Sequence, residues 1–289
     1  SDTDHFVLAK LDSKGIEPAI DAKPETLLRR LYFDLIGLPP SPKKIKEYAA
    51  SWKKDPKNTY RLEVNKLLSS ERFGERWGRH WLDVARYAES TGKDVNMSFP
   101  HAWRYRDYVI DSFNADKPYD KFITEQIAGD LLPIKNDADW QENLIATGFL
   151  AMGPKNLNER DPRQFALDLA DEQIDTTTQS ILGLTVSCAR CHDHKFDPLT
   201  HDDYYSMRAI FEPHQVRLDS VSGQIDLEQD GIPRVFDAHM EIPTWLHLRG
   251  NEKDPDKSRV MLPAIPALLS TDDFHVEAVA LPVESHSPT

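Results

Sequence analysis

The chain has 289 residues, 39% hydrophobic and 29% charged, which is ordinary for a soluble globular protein and ample for a sizeable core. Lys and Arg number 35 against 48 Asp and Glu, a formal charge of −13, so the electrostatic footprint of general nucleic-acid binding or of docking on anionic lipid is lacking. The longest apolar stretch, Val260 to Leu269, is broken by Pro263 and Pro266 and falls well short of the ~20 residues that span a bilayer.

The first two-thirds of the chain is predicted to be helical. Leu27, Leu28, Leu31, Leu35 and Leu38 form a 3.6-type stripe over 25–38, and Pro39-Pro40-Ser41-Pro42 ends that helix and starts another. Leu62, Val64, Leu67 and Leu68 repeat the pattern over 60–68. Phe73, Trp77, Trp81, Val84, Ala85 and Ala88 do so over 72–89, the strongest case. Pro100 is placed to open a helix containing Trp103, Tyr108, Ile110 and Phe113; further helices are expected over 120–132 and 164–184, the last with Asp161-Pro162 as N-cap and first residue. Beyond Phe211 proline is frequent and short β-type runs appear at 215–218, 234–236 and 244–248. The expected architecture is therefore mainly α, a multi-helix body over 1–212 with a small extended or β-rich region, 213–289, packed on it as one globular unit. The last fifteen or so residues, around Ser285-His286-Ser287-Pro288, are expected to fray.

Chemistry concentrates at one place. The only two cysteines stand in Cys188-Ala189-Arg190-Cys191-His192, leaving no thiol for a disulfide elsewhere or for a four-thiolate zinc site. Cys-x-x-Cys-His is the attachment pattern of c-type haem: two thiols two residues apart on a helical turn reach the two vinyl groups on one porphyrin edge, and the next imidazole meets the iron. This assigns thioethers to Cys188 and Cys191 and the proximal bond to His192. A thioredoxin-like redox pair needs a strand before the motif, where helix is predicted. A zinc site would have to recruit His194 and His201.

Beyond the motif, Asp193-His194-Lys195-Phe196-Asp197-Pro198 and Asp203-Tyr204-Tyr205 extend a pattern that resembles the planctomycete-type cytochrome c family, a domain of unknown function in large exported proteins. Leu28-Arg29-Arg30-Leu31-Tyr32-Phe33-Asp34-Leu35-Ile36-Gly37-Leu38-Pro39-Pro40 and Gly74-Glu75-Arg76-Trp77-Gly78-Arg79-His80-Trp81-Leu82-Asp83-Val84-Ala85-Arg86-Tyr87 carry the same resemblance. So do Trp103 to Ile110 and Glu125 to Leu132, and coverage runs from about Phe6 to Leu269. The resemblance implies one covalent haem c per chain, a periplasmic, cell-surface or secreted location, and a second conserved domain downstream. It names no substrate. Pro154-Lys155-Asn156-Leu157-Asn158-Glu159-Arg160 replaces an acidic, glycine-containing stretch of the family pattern. Ser1-Asp2-Thr3-Asp4 has neither the basic flank nor the apolar core of an export signal, so a mature or excised form is expected.

The sixth iron ligand separates electron carrier from enzyme. His80, at helical spacing from Trp77, Trp81 and Val84, is expected to face the interior and is the first candidate; His101, Met97 and Met152 follow. Arg104 and Arg106 are candidates for the haem propionates, with Arg86 and Lys195 behind them. His194 is expected to serve as a backbone or propionate partner or a proton-transfer group. Trp77, Trp81 and Trp103 wall the porphyrin or fill the core. Asp193, Asp197, Asp202 and Asp203 read as caps and turns or as a calcium or docking cluster. The leading functional expectation is an exported monohaem cytochrome domain passing electrons to a redox partner or downstream domain. The alternatives are a haem-dependent oxidoreductase acting on a small molecule or glycan, and a carbohydrate- or partner-binding module with a structural haem.

Overall fold

A computed structural model describes residues 2–220, 226, 230–238 and 241–270 of the chain. It is mainly helical, with short antiparallel strands toward the C-terminal end of the described residues. The helices among the described residues are α1 Asp2–Asp12, α2 Pro24–Ile36, α3 Pro42–Trp52, α4 Pro56–Leu68, α5 Glu71–Val84, α6 Ala102–Asn114, α7 Tyr119–Ala128, α8 Asp137–Ala146, α9 Gly148–Ala151, α10 Pro162–Thr177 and α11 His201–Phe211. The strands among the same residues are β1 His214–Asp219, β2 Ile232–Asp237, β3 Thr244–His247 and β4 Pro255–Met261. The change from helix to strand falls between Phe211 and His214. Chain contacts, however, group into two compact units, Ser1–Arg76 and Trp77–Thr289, divided within α5.

In the first unit, proline sets the helix starts. Pro24, Pro42 and Pro56 each occupy the first turn, where the missing N–H has no intrahelical partner to lose, and Ser41 and Asp55 cap the free N–H groups of Lys44 and Asn58. Gly37 ends α2 at φ 73°, a left-handed conformation that costs glycine little. Leu28, Tyr48 and Leu67 are buried, one from each of α2, α3 and α4. Among them Glu63 is buried, accepting from Tyr32 Oη at 3.1 Å and paired with Lys44. Burial and then this carboxylate push the Tyr32 and Tyr48 phenols up to about 12.

In the second unit, the core runs through α5, α6, α7, α9, α10 and α11. Its centre holds a satisfied polar triad: Trp81 Nε1 donates to Tyr105 Oη at 3.0 Å and to Gln126 Oε1 at 2.8 Å, and Tyr105 Oη donates to the same Gln126 oxygen at 2.5 Å. Trp81 is therefore core, while Trp77 and Trp103 are 38% and 40% exposed. The face of α5 is displaced from the predicted one. Gly74, Gly78, Trp81 and Ala85 are buried, whereas Trp77, His80 and Val84 point outward. A Cβ on Gly78 would stand 3.4 Å from Val109 and Ile110, so α6 rests directly on this glycine. His80, expected inside, is exposed, with its ring 5.5 Å from that of Trp77. The helix also ends at Val84 rather than 89, because Arg86 takes a positive φ of 49°.

The strands form two separate ribbons, β1 with β2 and β3 with β4, both antiparallel. The first packs on α8, α9 and α10, the second on α11. The expected fraying at 275–289 lies outside the described residues.

Candidate functional site at the Cys-x-x-Cys-His turn

After α10 the chain passes through a π-turn, Thr178–Leu182, and a left-handed Gly183, and enters a 3₁₀ helix, Val186–Arg190. This geometry explains the cysteine spacing. At three residues per turn, side chains three apart lie one above the other. Val186 and Ala189 are fully buried and anchor one face; Cys188, within the turn, and Cys191, the residue that ends it, are three apart and both exposed as free thiols.

The turn is tied to the body by its polar groups. Ser187 Oγ donates to Asp175 Oδ1 at 2.7 Å. The Arg190 guanidinium pairs with Asp171, which also accepts from the Tyr204 hydroxyl and lies 3.9 Å from the buried Arg208. Burial, then the Asp171 carboxylate, holds the Tyr204 phenol far above its ordinary range. The Arg190 carbonyl accepts from His201 Nε2 at 2.8 Å and from Tyr205 Oη at 3.3 Å. Behind Tyr205 lies the buried His247, whose pKa is lowered to about 4 by burial and then by Arg208. On the outer side, Gly250 at φ 72° leaves room for Cys191: a Cβ there would lie 2.5 Å from its sulfur.

Three histidines surround the turn, and only one is left open toward solvent. His192 is exposed, with Nδ1 2.7 Å from the Asp193 carbonyl; that contact makes Nδ1 the protonated nitrogen and leaves Nε2 with its lone pair. His194 accepts at Nδ1 from the amides of Phe196 and Asp197, at 3.3 and 2.9 Å, and donates from Nε2 to Thr185 Oγ1 at 3.1 Å. It is a backbone partner that folds the loop. His201 is held by the Arg190 carbonyl, and its amide donates to Asp193 Oδ1 at 2.8 Å. His194 therefore has both ring nitrogens engaged, whereas His201 uses only Nε2. Among the described residues no group of three or more His, Cys, Asp or Glu is arranged to hold a metal ion.

The acidic cluster is structural as well. Asp203 completes a capping box with Thr200 at the start of α11 and accepts from the Ala267 amide at 2.8 Å; Asp202 pairs with Arg259.

The remaining sequence candidates lie in other surroundings. Arg106 pairs with Glu89 at 3.1 Å and Asp107 at 2.9 Å. Arg104 donates to the Asp230 carbonyl at 2.9 Å and stacks on Trp103. Arg86 pairs with Glu172 and donates to the Phe149 carbonyl at 2.9 Å. Lys195 lies over the exposed Phe196 ring. Met97 is exposed; Met152 and His101 are buried and line a cavity of about 640 Å³ that contains none of the motif residues. Sequence reasoning passed over what holds the turn in place. Asp171 reads as one polar residue of a helix, and Gly250 as a turn glycine; their partners are 19 and 59 positions away in sequence.

The arrangement defines a mainly helical protein that presents two thiols and one imidazole on a single surface turn. Residues 2–216 match the family model PSCyt2, described as a protein of unknown function (DUF1549), and the chain belongs to that family. No curated protein and no solved structure matches it.

Proposed function

We propose that the chain is a c-type haem domain of an exported electron-transfer protein, with one haem joined to Cys188 and Cys191 and bound axially by His192. The observation that carries this reading is the exposure of the two thiols three residues apart on one surface turn, next to an imidazole whose Nδ1 is engaged and whose Nε2 is open. The donor set fits a porphyrin better than a bare ion. A porphyrin would need only the two exposed thiols and one imidazole nitrogen from this turn, whereas a bare ion would need a cluster of ligands that the described residues do not form. Bound there, haem would supply a one-electron acceptor and donor.

The chain's own residues do the positioning. The Asp193 carbonyl orients His192 and raises its basicity as a ligand. Asp171 and His201 hold Arg190, one of the two residues between the cysteines, in place. Gly250 keeps the space beside Cys191 clear. Attachment outside the cytoplasm and delivery of electrons to a partner protein or downstream domain follow from this reading, and neither requires His80, Arg104 or Arg106.

The test is attachment itself. Produced in a host with a cytochrome-maturation system, the wild type is expected to carry one haem that survives denaturation. Cys188→Ala and Cys191→Ala should each shift the pyridine haemochrome band as one thioether is lost, and the double variant should retain no covalent haem. His192→Ala should keep the thioethers and lose the low-spin spectrum. Wild-type protein without covalent haem would refute the proposal.

A further inference from the structure

The 640 Å³ cavity of the second unit, about the size that takes a small organic ligand, is a built feature separate from the cysteine turn. Much of its lining is apolar: Phe99, Met152, Phe165, Leu169, Val216 and Leu218. Its charge is unusual for this chain. Lys155, Arg160 and Arg217 line it against a single carboxylate, Glu159, in a protein whose net charge is −13.

Two polar groups sit deep in it. Lys155 comes from the loop that departs from the family pattern. Its ammonium donates to the carbonyls of Ala151, at 2.5 Å, and Gly153, at 3.1 Å, and lies 5.1 Å from the centre of the Phe99 ring. The His101 ring is 6.0 Å from the same ring, so the two groups flank Phe99. His101 is 7% exposed, its Nδ1 is fully buried, and that nitrogen has no hydrogen-bond partner. The residue is also the N-cap of the 13-residue α6 and makes no side-chain cap there, leaving the positive end of that helix beside the cavity. Burial lowers the Lys155 pKa to about 8 and also lowers that of His101, as expected of groups held in an apolar wall.

We infer that this cavity binds a small apolar monocarboxylate, its carboxylate facing Lys155 and His101 and its hydrocarbon body against the Phe165, Leu169 and Val216 wall. A single ammonium beside a neutral imidazole and a helix N-terminus suits one negative charge. The Phe165, Leu169 and Val216 wall offers a hydrocarbon body no unsatisfied polar group to meet and gives a polyol nothing to bond on that side.

The experiment is calorimetric titration of the full chain with 3-phenylpropanoate, octanoate and the neutral 3-phenylpropanamide. Saturable binding of at least one acid is expected, with the amide weaker than 3-phenylpropanoate by about tenfold or more. Lys155→Met should abolish that preference. Because Lys155 also caps backbone carbonyls, Ala166→Phe provides a second test; it puts a bulky side chain at an apolar lining position, removes no polar group and should abolish binding altogether. The inference is overturned if neither acid saturates, if the amide binds as tightly as its acid, or if Ala166→Phe leaves binding unchanged. None of these readouts depends on haem, so failure here is distinguishable from failure of the electron-transfer reading.

Discussion

Gly250 and Asp171 are the residues on which the cysteine turn most depends, and each gives a test. Gly250 is at positive φ, and any Cβ there meets the Cys191 sulfur, so Gly250→Ala combines backbone strain with a steric clash. The expected result is a loss of about 1–3 kcal/mol in urea unfolding together with a reduced yield of covalent haem; an unaffected yield would show that the loop does not shape the site. Asp171→Asn removes the carboxylate shared by Arg190, Tyr204 and the buried Arg208. The Arg190 side chain is 35% exposed and Arg208 keeps Glu212, so the loss expected from chemical denaturation is about 1–3 kcal/mol. A change below 1 kcal/mol would mean that the network is not what anchors the turn.

At the scale of the element, α5 shows what periodicity reveals and what it hides. The helix was legible because its apolar residues recur at 3.6-type spacing, but its inward face was misplaced. Two tryptophans and a valine dominate a hydrophobic count, yet the close contact with α6 is made by Gly78, which such a count ignores. His80→Ala should accordingly change stability by less than ~0.5 kcal/mol, and Gly78→Leu should cost about 1–3 kcal/mol, read from urea midpoints. The reverse order would restore His80 to the interior. The starts of α3 and α10 were legible for a local reason, a proline in the first turn, whereas α4, read from Tyr60 by its apolar spacing, begins four residues earlier at Pro56. Strand β4 was not legible, because Pro255–Met261 is polar and mostly exposed and has no alternation to detect.

His214, at the start of β1, gives a pH prediction at the same scale. Burial lowers its pKa to about 4 from 6.5, and its Nδ1 lies 3.0 Å from Gln173 Oε1. The unfolded chain therefore takes up a proton at higher pH than the folded one. The stability from keeping this ring neutral is complete above pH 6.5, falls as the pH drops from 6.5 toward 4, and does not change further below that. Relative to His214→Gln, the wild type should lose about 2–3 kcal/mol across that interval in thermal or urea unfolding. A difference independent of pH would rule out this histidine as the cause.

Across the whole molecule, the Cys-x-x-Cys-His motif was legible because its residues are adjacent in sequence, while the 640 Å³ cavity was not. Its walls come from Phe99–His101, the 151–166 region, and β1 and β2, which only folding brings together. Net charge acts at this scale too. At −13, reduced protein should be oxidised faster at low salt by a cationic cobalt phenanthroline complex than by a neutral-protein baseline would allow, and slower by ferricyanide, with the two effects shrinking as salt screens them. Stopped-flow rates insensitive to ionic strength would show that the acidic surface is remote from the site of electron exchange. The most direct test of the central claim is the intact mass and reduced absorption spectrum of protein from a maturation-competent host. The account predicts a mass increased by one haem and the sharp bands of a reduced c-type cytochrome; a colourless protein with the mass of the polypeptide alone would contradict it.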